Sequence, residues 1–240
     1  MPKKRRFNLA RSVRTRKVRP YKTRKKKFGM PKPIGLPTSR IVHMRACYRY
    51  DFNNIVQDDA SYVVISANDI NNPFAVTGVT RPTGYDQWRQ MYKNFCVIGA
   101  KCSAQFTGVS GAAASAYIVG CRLTNVGDFD PTNGTDMIAT GTAGSYRILQ
   151  TPGNGNVPIV RCGYSAKKFF GLKDLSDNLD EVGATFSDAL SPIREAYFQV
   201  YALNLNPATD PGPVGTIITV DWLVLVSEPK DLPTQSLQPA

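Results

Sequence analysis

Sixteen lysines and arginines lie between Met1 and Arg40, a stretch with no aspartate or glutamate; the first acid is Asp51. Massed without counter-charges, side chains of these types do one kind of chemistry: they bind polyanions. Ammonium and guanidinium groups donate hydrogen bonds to phosphate oxygens and release condensed counterions, giving binding that is strong at low salt and indifferent to base sequence. The candidate phosphate contacts are Lys3, Lys4, Arg5, Arg6, Arg11, Arg14, Arg16, Lys17, Arg19, Lys22, Arg24, Lys25, Lys26 and Lys27. The whole chain has 30 basic and 18 acidic residues, which leaves 14 basic against 18 acidic groups in 41–240. A slightly acidic body therefore carries a cationic arm.

Phe7, Tyr21 and Phe28 interleave with these charges. Aromatic rings can stack on unpaired bases, which suits a single strand better than a duplex. Lys3-Lys4-Arg5-Arg6 and Arg24-Lys25-Lys26-Lys27 also have the form of nuclear-import clusters, although an arm this basic produces such runs by chance as well. The arm lacks the apolar face of a membrane-surface helix. No apolar segment follows it as in a secretory signal.

Other chemistries have little material. His43 is the sole histidine, so Ser-His-Asp, Cys-His and His-containing metal sites are disfavoured. The cysteines, Cys47, Cys96, Cys102, Cys121 and Cys162, are odd in number with no CxxC pair, and four sit in strand-like runs. They read as small buried hydrophobes. Asp128 with Asp130, and the group Asp174, Asp177, Asp180 and Glu181, lack the alternate-position spacing of a calcium loop and read as solvated acids. No phosphate-cradling glycine loop with its lysine is present. The expectation is no enzyme activity, no metal and no cofactor. Asn133-Gly134-Thr135 is a formal glycosylation sequon and reads as a turn.

The elements that must position these groups are strands. Like charges and Pro2, Pro20, Pro31, Pro33 and Pro37 predict a disordered arm over 1–40. A folded domain is expected over 41–229, with a flexible tail at 230–240. In 41–52 one face reads Val42, Met44, Ala46, Tyr48, Tyr50, Phe52, and the other Ile41, His43, Arg45, Cys47, Arg49, Asp51. This period of two predicts a half-buried strand. Further strands are predicted at 62–67, 96–106, 117–123, 157–164, 182–187, 196–205 and 216–226. The run 124–156 reads as loop, apart from a short element near 146–149. One helix is predicted where Tyr85, Trp88, Met91, Tyr92 and Phe95 recur at three- and four-residue spacing after Gly84. Trp88 and Trp222 read as core or interface anchors. About eight strands with one short helix and long loops predict an all-β, eight-stranded jelly-roll sandwich. If the strands at 41–52 and 96–106 share a sheet with the last one, Arg45, Arg49 and Lys101 lie together on its outer surface. They would then extend the polyanion footprint onto the body.

Two stretches, GYDQWRQMYKNFCVIGAKCSAQF (84–106) and YSAKKFFGLKD (164–174), carry a resemblance beyond this architecture. With the basic arm they make the chain similar to the capsid proteins of small circular, replication-initiator-encoding single-stranded DNA viruses, the circovirus-like group. The resemblance implies a non-enzymatic shell protein, about 60 copies closing with icosahedral symmetry and arms turned inward on single-stranded DNA. It implies residence in the virion and, during assembly, in the host nucleus. It also implies host import machinery as a partner and a host-cell receptor it does not identify; no membrane insertion is expected, because no run approaches the ~18 apolar residues of a membrane span. Loops 53–61, 68–84, 124–156 and 206–215 are the expected subunit contacts and outer surface. A small RNA virus coat protein and a cellular basic nucleic-acid-binding module are the alternatives.

Overall fold

Alternation of period two sets the architecture. The computed structural model describes residues 36–52, 60–74, 81–108, 115–127, 142–151, 157–187, 190–205 and 213–230. The chain divides into two units, Met1–Gly35 and Leu36–Ala240, and the architecture here is that of the second. Its strands are β1 (Ser39–Phe52), β2 (Ala60–Ser66), β3 (Tyr92–Gly108), β4 (Ser115–Thr124), β5 (Thr142–Thr151), β6 (Ile159–Ser165), β7 (Gly183–Thr185), β8 (Tyr197–Asn204) and β9 (Val214–Pro229). Sheet A runs β1-β9-β3-β6, with β7 also paired to β3; sheet B runs β2-β8-β4-β5. All the strand pairs are antiparallel. Apart from three-residue β7, consecutive strands cross from one sheet to the other, except β4 and β5, which stay together in sheet B. This is the jelly-roll arrangement expected from the sequence.

β9 shows why the two sheets pack. Ile218, Val220, Trp222, Val224 and Val226 all point inward and are fully buried. By register Trp222 lies between Met44 of β1 and Ala100 of β3, so the largest core side chain is flanked by two smaller inward ones. Phe198, Val200 and Ala202 supply the facing layer from β8 and belong to the same core cluster. On the other side of sheet B, Tyr201 and Leu203 form a second, small cluster with Tyr62 and Ile118. β8 is thus buried on both faces, which its near-continuous apolar run requires. The sandwich is stitched at one side by Ser145 of β5. Its hydroxyl donates to the Arg161 carbonyl (2.7 Å) and accepts from the Arg161 N–H (2.8 Å), satisfying both backbone groups of β6 there.

Several elements differ from the sequence reading. Residues 142–151 form a ten-residue strand, not loop. The Gly- and Thr-rich start of that stretch hides an alternation that only pairing with β4 reveals. The predicted helix is α1 (Tyr85–Met91), shorter than the aromatic spacing suggests. Tyr92 turns extended at φ −128°, ψ 155°, because Tyr92 and Phe95 pair with Pro229 and Val226 of β9. Tertiary pairing overrides local spacing here. Two further single-turn helices, α2 (Ala166–Phe170) and α3 (Leu179–Val182), and a 3-10 turn at Ser176–Asn178 lie where the sequence predicts no helix. Gly171, left-handed at φ 66°, ends α2 and was the available signal for it. β1 begins at Ser39, just inside the segment read as arm.

The loop 68–84 was expected among the subunit contacts and outer surface, yet Asn68, Asp69, Ile70 and Asn71 are buried. A polar network compensates them. Asn68 Nδ2 donates to the Arg194 carbonyl (2.6 Å), and its Oδ1 accepts from the Ala196 N–H (2.9 Å). Asp69 accepts from the Ser191 hydroxyl (2.7 Å) and the Asn71 N–H (2.8 Å). Asn71 Nδ2 donates to the Thr185 (2.9 Å) and Leu190 (2.7 Å) carbonyls, and its Oδ1 accepts from the Tyr85 hydroxyl (2.5 Å). These asparagines therefore tie the β2–α1 connection to the β7–β8 connection, a fixed internal joint in place of a surface loop.

Candidate nucleic-acid interface

Residues of β1, β9, β3 and β6 that alternate outward share the outer face of sheet A. Register arranges them in rows. Arg45 lies opposite Asp221, Asp221 opposite Lys101, and Lys101 opposite Gly163. In the next row Cys47 faces Thr219, Thr219 faces Ser103, and Ser103 faces Arg161. The structure thus brings Arg45, Arg49 and Lys101 onto one surface, as the alternation predicts. The candidates from Lys3 to Lys27, and with them both import-type clusters, lie outside the described residues.

The charges on this face are not equivalent. Arg45 grips Asp221 through two contacts, Nε to Oδ1 at 2.5 Å and a terminal nitrogen to Oδ2 at 3.2 Å. The hydrogen bond, then the attraction of the carboxylate, raises the guanidinium pKa above its ordinary value. Arg49 lies 3.6 Å from the Asp51 carboxylate. Both pairs are solvent-exposed and contribute little to stability. They do, however, cancel part of the positive potential that the sequence assigns to this face. Lys101 is exposed and carries no ion pair among the described residues. Arg161 has the same status and was missed by the sequence reading, although the strand at 157–164 was predicted. The available signal was its position between the inward Val160 and Cys162.

The remaining sequence candidates fall elsewhere. Trp222 is in the core, whereas Trp88 is half-buried with the Arg40 guanidinium 5.4 Å from its ring centre. All five cysteines lie in strands and none is joined in a disulfide; Cys47 is exposed and the others are buried. Cys121 of sheet B hydrogen-bonds with Cys102 and Cys162 of sheet A, and those contacts with burial push its thiol pKa up. Burial pushes Cys96 up to about 11. Of the acidic residues at 174–181, Glu181 pairs with Arg194 at 2.9 Å. Among the described residues no three His, Cys, Asp or Glu side chains are placed to hold a metal. No helix among them is long and apolar enough to cross a membrane. Asp128, Asp130 and the Asn133 sequon lie outside the described residues.

No family model matches the chain, and no curated protein matches it. Solved structures resemble it in fold. A decameric BFDV capsid protein is 8% identical, with 78% of this chain and 99% of that one covered at a TM-score of 0.43. Cocksfoot mottle virus gives 10% identity over 79% and 94% at 0.44. Desmodium yellow mottle tymovirus gives 11% identity over 85% and 96% at 0.39.

Proposed function

We propose that the chain is a viral coat subunit that self-assembles into a closed icosahedral shell and packages single-stranded DNA through its basic N-terminal segment. The observation that carries this reading is the joining of sixteen uncompensated cations in 1–40 to a jelly roll whose strand order is β1-β9-β3-β6 over β2-β8-β4-β5. The cations supply phosphate neutralisation, and the sandwich supplies a rigid body for tiling. Copies in a shell of about 60 would bring on the order of a thousand positive charges, the scale of a one- to few-kilobase single strand. The stretches 84–106 and 164–174 favour a circovirus-like single-stranded DNA genome. The two basic clusters then serve host import machinery, placing the protein in the nucleus before it enters the virion. Arg45, Arg49 and Lys101 extend the contact onto the body. The work is structural, without a catalytic step.

Electron microscopy of the purified full chain tests the assembly, with closed particles expected. Extraction of the packaged nucleic acid tests the cargo, which should be degraded by a single-strand DNase and resist RNase. A chain that stays monomeric at low salt overturns the shell. Cargo lost only to RNase overturns the DNA assignment and leaves the shell intact.

A further inference from the structure

Among the described residues, the two cations on the outer face of sheet A without an acid partner are also neighbours. Arg161 lies one strand across from Lys101 and two residues along, a diagonal relation that places their Cα atoms about 7–8 Å apart. Two positive groups at that spacing repel unless an anion sits between them. The carboxylate that could serve, Asp221, is directed to Arg45. The floor between the cations is low. Ser103 faces Arg161 and offers a hydroxyl. Gly163 faces Lys101, and a Cβ added there would meet nothing within 4 Å. The Arg161 backbone is clamped on both its N–H and its carbonyl by Ser145, so the guanidinium projects from a fixed point.

We infer that Lys101, Arg161 and Ser103 form a discrete phosphodiester site on the body, and that Asp221 limits its strength. An ammonium, a planar guanidinium and a hydroxyl at adjacent register positions, beside a glycine, match the non-bridging oxygens of one backbone phosphate. Asp221 opposes this twice, by neutralising Arg45 and by placing a carboxylate next to Lys101 in the same row. A site held weak in this way lets an encapsidated strand lie on the wall without being locked to it. The inference rests on the nucleic-acid reading above.

The test uses the full chain with a short oligo(dT), in samples matched for assembly state by sedimentation. Lysine acetylation by an N-hydroxysuccinimide ester is read residue by residue by mass spectrometry. DNA should protect Lys101 severalfold in the wild type and much less in Arg161→Ala. The slope of log K against log salt should fall by about 0.7 for Lys101→Ala and again for Arg161→Ala. Asp221→Asn should steepen it by up to about 0.7 by freeing Arg45. If Lys25–Lys27 are protected while Lys101 is not, the body site is overturned and the arm reading stands. If neither is protected, both fall. Undiminished Lys101 protection in Arg161→Ala overturns the shared site.

Discussion

Replacing Asn71 by alanine removes the centre of the internal joint between the β2–α1 and β7–β8 connections. The side chain is 2% exposed and makes three hydrogen bonds, to the Thr185 carbonyl, the Leu190 carbonyl and the Tyr85 hydroxyl. A net of about 1 kcal/mol per bond, with some recovery by water at the exposed Leu190, gives a loss of about 2–4 kcal/mol. Against the 5–15 kcal/mol typical of a domain, that is a large fraction. Asn71→Asp keeps the acceptor for Tyr85 but puts a charge against two carbonyls, so its cost should equal or exceed that of alanine. Urea unfolding followed by tryptophan fluorescence reads both variants. Wild type and variants must be compared dissociated and at one concentration, because assembly adds its own stabilisation. Amide exchange localises the effect, with faster exchange expected in β7 and at Ala196 before it appears in β9. A loss below about 1 kcal/mol for both variants, with β7 protection unchanged, would refute the view that this joint holds the two connections.

Gly183→Ala should be as damaging for a different reason. Its Cβ would lie 2.6 Å from the Leu179 carbonyl and 2.8 Å from the Phe95 carbonyl, both backbone, so β7 must move off β3; a midpoint within error of wild type in the same urea titration contradicts this. Asp69→Asn should flatten the pH dependence of stability. Burial holds the Asp69 carboxyl above its ordinary 3.8 despite donors from Ser191, Asn71 and Asn72, and the nearby Glu195 carboxylate adds to the rise. The native state thus keeps this proton longer than the unfolded chain, so the stabilisation is full below the ordinary value and is lost as pH rises through the raised one. Thermal melts of both proteins across about pH 4–8 should show a decline in wild type that the variant lacks, and parallel curves would contradict it. Asp221→Ala should leave the unfolding midpoint unresolved from wild type, since Arg45 and Asp221 are 69% and 40% exposed; a clear drop in the melting temperature would make the pair structural.

The fold was legible in proportion to how far each strand satisfies itself. β1 and β9 bury one face far more than the other, so their alternation is visible residue by residue, and the inward set predicted for β1 is the observed one. β5 is an edge strand whose outward Tyr146 and Ile148 are more than half exposed, while Gly144 gives way to Arg122 of the neighbouring strand. Its pattern depends on β4 and is weak alone. The joint at 66–74 was opaque because Asn, Asp and Ser have the composition of a surface turn. They become core residues here only because carbonyls and amides from 185–196, more than a hundred positions away, complete their hydrogen bonds.

The candidate interface divides along a similar line. Period two says which side chains of one strand share a face, and this was enough to group Arg45 with Arg49 and to send Lys101 outward. It says nothing of register, and register decides which charges remain active. Asp221 stands 176 residues from Arg45, and only the order β1-β9-β3 sets it between Arg45 and Lys101. The same order brings Arg161, from the edge strand β6, into diagonal reach of Lys101. Alternation within single strands therefore overstates Arg45 and Arg49, and without register it gave no reason to single out Arg161. The effective cation centre of sheet A lies toward β3 and β6, on the side that Ser145 fastens to sheet B. A strand of phosphates following the positive potential across this wall should therefore run closer to those two strands than to β1, where Arg45 and Arg49 share their charge with carboxylates.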